Sequence, residues 1–362
     1  MPKRVVLAMS GGVDSSVAAW LLKEQGYDVV GLFMRTGVHA PETDTCDTSS
    51  HKKGCCSALD AGDARRVADR LDIPFYALDF EDDFGRIMDY FADEYSRGRT
   101  PNPCVVCNNW LKFGKLWSYG KQLEADFIAT GHYVRITDDA GEAQLRKGID
   151  PNKDQSYVLF GLRRSLLSKL LFPIGGMPKD EVRSLARKVG LEVAEKPDSV
   201  EICFVPDNDH FGFIKKHRPE LASAGVIRGR DGTVFAEHDG IERFTVGQRK
   251  GLGFGGGQRR YVLEIVPETR DVIVGDKEDL LSPALEASRV NWLIEPPTAS
   301  LTCEAKIRYR HEAASATVTP LDDGNVRVEF DRLQSAVTPG QAVVFYDGDR
   351  VLGGAWIDRA VG

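Results

Sequence analysis

No run in the 362 residues approaches the 18 or more consecutive apolar positions of a membrane-spanning helix. No cleavable leader is expected either, because Met1-Pro2-Lys3-Arg4 passes straight into Val5-Val6-Leu7-Ala8-Met9 without a small-residue cleavage site. The expected location is therefore cytoplasmic, with no membrane partner. Cysteine is scarce: seven residues, an odd number without regular spacing, exclude a secreted disulfide framework and leave thiol or metal chemistry in a reducing compartment. An excess of positive charge is also absent. A net charge of -7 would by itself argue against a nucleic-acid partner, since phosphate binding depends on clustered Lys and Arg. The distribution says more than the sum. From Arg146 to Lys188 there are ten Lys and Arg against four Asp and Glu, whereas the first hundred residues carry twelve against seventeen. This basic segment in an acidic chain is either an RNA-facing surface or a solvated helix face. Internal repeats and low-complexity tracts are lacking.

What is present is a soluble globular composition, 42% hydrophobic and 28% charged, in a chain long enough for two or three separate cores. Residues 4–135 alternate short apolar runs with helical patterns: Val5 to Met9, a helix through Val17 to Lys23, Val29 to Met34, a helix from Ala58 to Leu71, Phe75 to Leu78, and Phe127 to Thr130. That alternation predicts an α/β domain with a parallel sheet covered on both faces. Residues 36–57 and 96–108 lack periodicity and hold Gly, Pro and most of the cysteines, so function is expected in these long loops. Residues 151–217 read as helical, with helix starts at Pro178-Lys179-Asp180-Glu181 and Asp207-Asn208-Asp209. From about Gly225 the chain turns to short Val-, Ile- and Thr-rich runs separated by Asp231-Gly232, Asp239-Gly240, Gly324-Asn325 and Asp347-Gly348, which predicts small β domains with a joint near Ser282-Pro283.

Two constellations carry chemistry. The first is Ser10-Gly11-Gly12-Val13-Asp14-Ser15-Ser16, set between the first strand and a helix, where glycines let backbone amides converge on a di- or triphosphate. It is not a Walker A loop, because the Gly-Lys-Ser/Thr ending and its phosphate-reaching lysine are missing. It resembles the PP-loop of ATP pyrophosphatases, which cleave between the α- and β-phosphates and adenylate an oxygen. The second is thiol: Pro101-Asn102-Pro103-Cys104-Val105-Val106-Cys107-Asn108 leads into a helix, and Glu201-Ile202-Cys203-Phe204 follows a hundred residues later. A cysteine at a helix start has its thiolate favoured by the dipole. Structural zinc is the competing reading of a Cys-x-x-Cys, although it normally takes four ligands and only Cys203 offers itself as a third. Beside a PP-loop, sulfur transfer is favoured.

The chain resembles the bacterial tRNA-specific 2-thiouridylase (MnmA) family through nearly its whole length. The resemblance rests on Ala8 to Ser15, Gly98-Arg99-Thr100-Pro101-Asn102-Pro103, Ala129-Thr130-Gly131-His132-Tyr133, Lys153-Asp154-Gln155-Ser156-Tyr157, Phe244 to Gly253, and Arg308-Tyr309. It implies a PP-loop (adenine nucleotide alpha hydrolase-like) domain over 1–210 with a helical tRNA-binding segment near 150–190, a small β-rich domain over 211–282 and a C-terminal β-barrel-like domain over 283–362. The implied reaction is 2-thiolation of the wobble uridine of tRNAs for Lys, Glu and Gln, using ATP, Mg²⁺ and a persulfide sulfur-carrier protein. By motif, Ala8, Met9, Ser10, Gly11, Gly12, Val13, Asp14 and Ser15 would hold ATP phosphates, with Met34 and Gly131 flanking adenine or ribose. Asn102, Pro103 and Cys104 would line the target base, and His132 and Gln341 would lie near it. Lys153, Asp154, Gln155, Arg308 and Tyr309 would touch tRNA. Cys203 would carry the persulfide, and Cys107 would release it through a transient disulfide.

Read without the resemblance, His132 could equally be a satisfied core histidine, Met34 core filling, and Gln248-Arg249-Lys250 a solvated turn. Cys46, Cys55, Cys56 and Cys303 receive no role. Many family members place Asp where this chain has Cys104. With three soft thiolates, a second mechanism opens in which Cys104, Cys107 and Cys203 hold a 4Fe-4S cluster whose open iron delivers sulfide. Two rivals from other classes are an amide-forming PP-loop ligase, which would not need the cysteines, and a non-catalytic RNA-binding module, which would have no use for a pyrophosphate nest.

Overall fold

The computed structural model describes residues 2–38, 58–198, 202–205, 209–221, 224–255 and 259–362. Cys46, Cys55, Cys56, Glu201 and most of the loop at 36–57 lie outside the described residues. The chain forms two compact units: residues 1–87, 104–208 and 349–351 make the first, and residues 88–103, 209–348 and 352–362 make the second.

The first unit begins as the apolar runs require. Strand β1 (Arg4–Ala8), helix α1 (Val13–Glu24), β2 (Asp28–Arg35), α2 (Ala58–Arg70) and β3 (Phe75–Asp79) follow one another. The helix α3 (Glu81–Ser96) runs on into the second unit. After α4 (Pro103–Val106), a π-helical stretch (Cys107–Lys115) and α5 (Leu116–Gln122) comes β4 (Phe127–Thr130), followed by the hairpin β5 (Val134–Asp139) and β6 (Glu142–Lys147) and the short β7 (Leu170–Leu171). Within the described residues the sheet has five strands in the order β3-β2-β1-β4-β7, and every pairing is parallel. Val5, Leu7, Val29 and Phe33 from the strands pack with Val17, Leu22 and Val67 from the helices, all buried, which is why these strands are nearly continuous apolar runs. The order places successive connections from β1 on opposite sides of it. The carboxyl ends of β1 and β4 at this switch point are the usual ligand position in such sheets.

Residues 151–217 are less helical than their pattern suggests. Among the described residues there, only α6 (Lys179–Lys188) and α7 (His210–His217) are α-helices, with short 3₁₀ turns between. Pro151, Pro173, Pro178 and Pro197 and the pair Gly175-Gly176 interrupt the backbone ladder too often for longer helices. Both α-helices begin close to the sequence signals, and Asp209 caps α7 by accepting the Gly212 amide.

In the second unit, β8 (Gly225–Gly229), β9 (Val234–His238), β10 (Tyr261–Val266) and β11 (Asp271–Gly275) form a sheet in the order β10-β11-β8-β9 around Ile227, Val262, Val272 and Val274. The Asp231-Gly232 turn joins β8 to β9. The strands β12 (Leu281–Trp292), β13 (Leu301–Lys306), β14 (Ala314–Pro320), β15 (Val326–Ser335), β16 (Ala342–Asp347) and β17 (Arg350–Val361) follow. They pair as β12-β15-β14-β13-β16-β17, and β17 returns to β12, closing a six-stranded barrel filled by Leu285, Val318, Val328, Phe345 and Ile357. Ser282 and Pro283 lie at the start of β12, the first strand of the barrel. No described helix is long and apolar enough to cross a membrane.

Candidate active site

The loop after β1 occupies the switch point. Gly11 has φ +73°, and a Cβ there would meet the Asp60 carbonyl at 2.2 Å, so only glycine fits. Gly12 is the N-cap of α1 and among the described residues no side chain caps that helix start, which leaves its first-turn amides for an anion. The Ser15 hydroxyl accepts from the Ser10 amide (3.2 Å) and donates to the Gly12 carbonyl, and Ser16 donates to the same carbonyl at 2.8 Å. These bonds tie Ser10, Gly12 and the start of α1 into one tight turn directly after Ala8 and Met9. Met34 sits near the end of β2 on one side of β1, and Gly131 follows β4 on the other. A Cβ on Gly131 would lie 2.8 Å from Asp14 C and Ser15 N, so β4 passes against the loop backbone at van der Waals limit.

Behind the loop lies a charge network that sequence reasoning did not find. The Asp14 carboxylate accepts from Lys179 Nζ at 2.8 Å on each oxygen and from the Tyr133 hydroxyl at 2.7 Å. Burial, then the Asp14 charge, raises the Tyr133 pKa, so that hydroxyl stays a donor. Lys179, 6% exposed, also reaches Asp198 at 2.9 Å, and Asp198 binds Lys153 (2.7 Å) and Arg183 (2.8 Å). Burial would push the Asp198 carboxyl up, but hydrogen bonds from Lys153 and Lys179 hold it at about 2. Lys196 braces the loop from below, with Nζ donating to the Gly11 carbonyl (2.9 Å), Asp60 (2.6 Å) and Asp63 (2.5 Å). Burial opposes its charge, and the bonds to Asp60 and Asp63 more than restore it. One signal for Lys179 was available. It is the first residue of α6, where a cation opposes the helix dipole and needs an anionic partner.

Cys104 is exposed on α4, Cys107 is half-buried at the start of the π-helical stretch, and Cys203 is half-buried in a turn. Mid-helix π geometry is rare and concentrates at functional positions. It is anchored here by the Asn108 side chain, which donates to the Val158 carbonyl at 3.2 Å. Among the described residues no three His, Cys, Asp or Glu side chains come together as a metal-holding group. Cys303 is buried in the barrel, where burial pushes its thiol up to about 12 and leaves it inert.

A family model described as the tRNA methyl transferase HUP domain matches residues 3–207, the corresponding PRC-barrel domain matches 212–276, and an aminomethyltransferase beta-barrel domain matches 282–357. The tRNA-specific 2-thiouridylase MnmA of Geotalea uraniireducens is 51% identical over 99% of this chain and 96% of its own. That of Geobacter metallireducens is also 51% identical, over 99% and 98%, and that of Rhodopirellula baltica is 46% identical, over 99% and 97%. The chain belongs to the MnmA family.

The remaining positions singled out by the MnmA resemblance fall in both units. His132 is buried, with Nδ1 2.6 Å from the Thr130 hydroxyl and its ring against Phe113 and Phe172. Burial, then the Lys112 charge, drops its pKa well below the ordinary value, so it is a neutral imidazole. Asp154 accepts the Gly148 and Ser156 amides and the Ser156 hydroxyl, while Gln155 Oε1 accepts the Tyr133 amide at 2.9 Å. These two side chains shape the turn that presents Lys153. In the second unit, Gln341 Nε2 donates to the carbonyls of Thr100 (3.0 Å) and Pro101 (3.1 Å), directly before Asn102 and Pro103. Arg99, paired with Glu94 (2.9 Å), and the Thr100 amide, bonded to the Pro339 carbonyl (2.8 Å), fix the same stretch. Gln341 thus supports the irregular stretch that carries Asn102. Arg308 donates to the Ser335 carbonyl at 2.8 Å, and Tyr309 is 40% exposed beside Lys306.

Proposed function

We propose that this protein is a tRNA-uridine 2-sulfurtransferase that adenylates the C2 oxygen of the wobble uridine in tRNAs for Lys, Glu and Gln and replaces it with sulfur carried as a persulfide on Cys203. The observation that carries this reading is the loop at the β1/β4 switch point: an uncapped helix start, serines turned inward and one carboxylate, Asp14, in a chain of MnmA descent. The geometry suits a polyphosphate, and the absence of a Walker lysine suits cleavage between the α- and β-phosphates rather than γ-transfer. Asp14 fits a Mg²⁺ partner, since that ion is typically held by one or two carboxylates plus substrate phosphates. When bound it would neutralise phosphate charge.

The chain's own residues do the rest. Amides at the start of α1 hold the phosphate chain, so that the C2 oxygen of uridine attacks the α-phosphorus and pyrophosphate leaves. The terminal sulfur on Cys203 then attacks C2 and AMP departs. The Cys107 thiolate attacks the Cys203 sulfur, which forms a disulfide and leaves the second sulfur on the uridine as its thione; an external reductant resets the pair. Neutral His132 is suited to hydrogen bonding near the base without adding charge. Lys153, Asp154, Gln155, Arg308 and Tyr309 serve tRNA, and a base in a single-stranded loop enters the pocket at low cost.

The test is nucleoside mass spectrometry of unmodified tRNA incubated with the protein, ATP, Mg²⁺ and a persulfide donor. One 2-thiouridine per pyrophosphate released is expected. Pyrophosphate with a nitrogen-substituted product, or thiolation that proceeds without ATP, would overturn the reading.

A further inference from the structure

The phosphate loop has no lysine of its own, yet a departing pyrophosphate develops charge that a nearby cation must stabilise. Among the described residues two lysines lie beside the loop and they differ in one respect. Lys196 commits its three N–H groups to Gly11, Asp60 and Asp63, which are structural partners under the turn. Lys179 covers both oxygens of Asp14, the one loop carboxylate, and keeps its third bond on Asp198. Asp198 does not depend on Lys179 for neutralisation, because Lys153 and Arg183 also hold it. The anchor therefore survives if Lys179 leaves Asp14.

We propose that Lys179 is the cation of the phosphate loop and a competitor of the divalent ion for Asp14: the two carboxylate oxygens hold either the ammonium or the metal, and the displaced ammonium, still anchored on Asp198, turns to the nucleotide's phosphate chain. This rests on the ATP-using function proposed above and adds to it a substrate-contacting residue and an order of events. Metal enters with the nucleotide, because without phosphates to receive it the ammonium stays on Asp14.

The experiment compares wild type, Lys179→Gln and Lys179→Arg. With Mn²⁺ alone, followed by electron paramagnetic resonance, Lys179→Gln is expected to bind the ion about tenfold or more tightly than wild type, since a competing charge is gone. With α,β-methylene-ATP and Mg²⁺, followed by calorimetry, the same variant is expected to lose about tenfold or more in affinity. A merely structural lysine would move the two constants in the same direction or neither. Equal Mn²⁺ binding, or equal analogue binding, in Lys179→Gln and wild type overturns the proposal while leaving ATP use intact. Failure of wild type to bind the analogue instead overturns the function on which it rests. Should Lys179→Gln fail to fold, Lys179→Arg keeps the charge: weak Mn²⁺ binding as in wild type is expected there, and tight binding overturns the proposal.

Discussion

Gly131 offers a sharp test of how β4 and the phosphate loop work together. An alanine Cβ at this position would stand 2.8 Å from both Asp14 C and Ser15 N and 3.1 Å from the Asp14 carbonyl oxygen. These are backbone atoms at the start of α1 and cannot rotate away. Restoring ordinary contact requires the strand end or the loop to move by roughly half an ångström, within a site where a displacement of about 1 Å costs on the order of a hundredfold in rate. Gly131→Ala should therefore lower kcat/KM for ATP by about tenfold, or about 1.4 kcal/mol in transition-state stabilisation. Gly12→Ala supplies the contrast: its Cβ would meet only the Ser10 hydroxyl at 3.5 Å, at φ -95°, so the protein itself accepts it and any loss reports crowding of the nucleotide. The assay is pyrophosphate release at saturating tRNA with melting curves for each variant. Gly131→Ala with kcat/KM within twofold of wild type and an unchanged melting curve would refute the argument that β4 sets the loop position.

Other expectations follow from the same geometry. The His132 pKa in the folded chain lies below its unfolded value of about 6.5, so the stability it contributes is present above that pH and is lost as pH falls, by up to about 1.4 kcal/mol per pH unit. Urea unfolding of His132→Asn should show a shallower pH slope between about pH 6.5 and 5 than wild type, and parallel slopes would contradict a buried neutral ring. In single-turnover thiolation, Cys104→Ser should keep substantial activity while Cys107→Ser and Cys203→Ser lose it; iron in anaerobically purified wild type that disappears together with activity in Cys104→Ser would defeat the persulfide relay. Arg308→Ala should make the salt dependence of tRNA binding shallower by about one log–log unit, and Lys153→Ala by less, since Asp198 already holds that ammonium. Unchanged slopes in both would remove them from the tRNA surface.

Local order was legible in the sequence because it depends on neighbours. The apolar runs at Val5, Val29, Phe75 and Phe127 became strands within a residue or two of their pattern; those at Val5, Val29 and Phe127 are largely buried, and a strand buried on both faces must be apolar throughout. The glycine-serine string declared its turn because Gly11 alone tolerates φ +73° beside Asp60. The tertiary structure decided which distant charges share a site. Lys179 is 165 positions from Asp14, and in sequence it is one more basic residue in a helix start, while Lys196 and Asp60 are 136 apart. Within the second unit, the Gln341 side chain reaches the carbonyls before Asn102 across 240 positions. Periodicity records only which face of an element is apolar. The pairing of buried charges is set by how β1, β4 and α6 pack, since in low dielectric each charge must find its partner wherever the fold brings one.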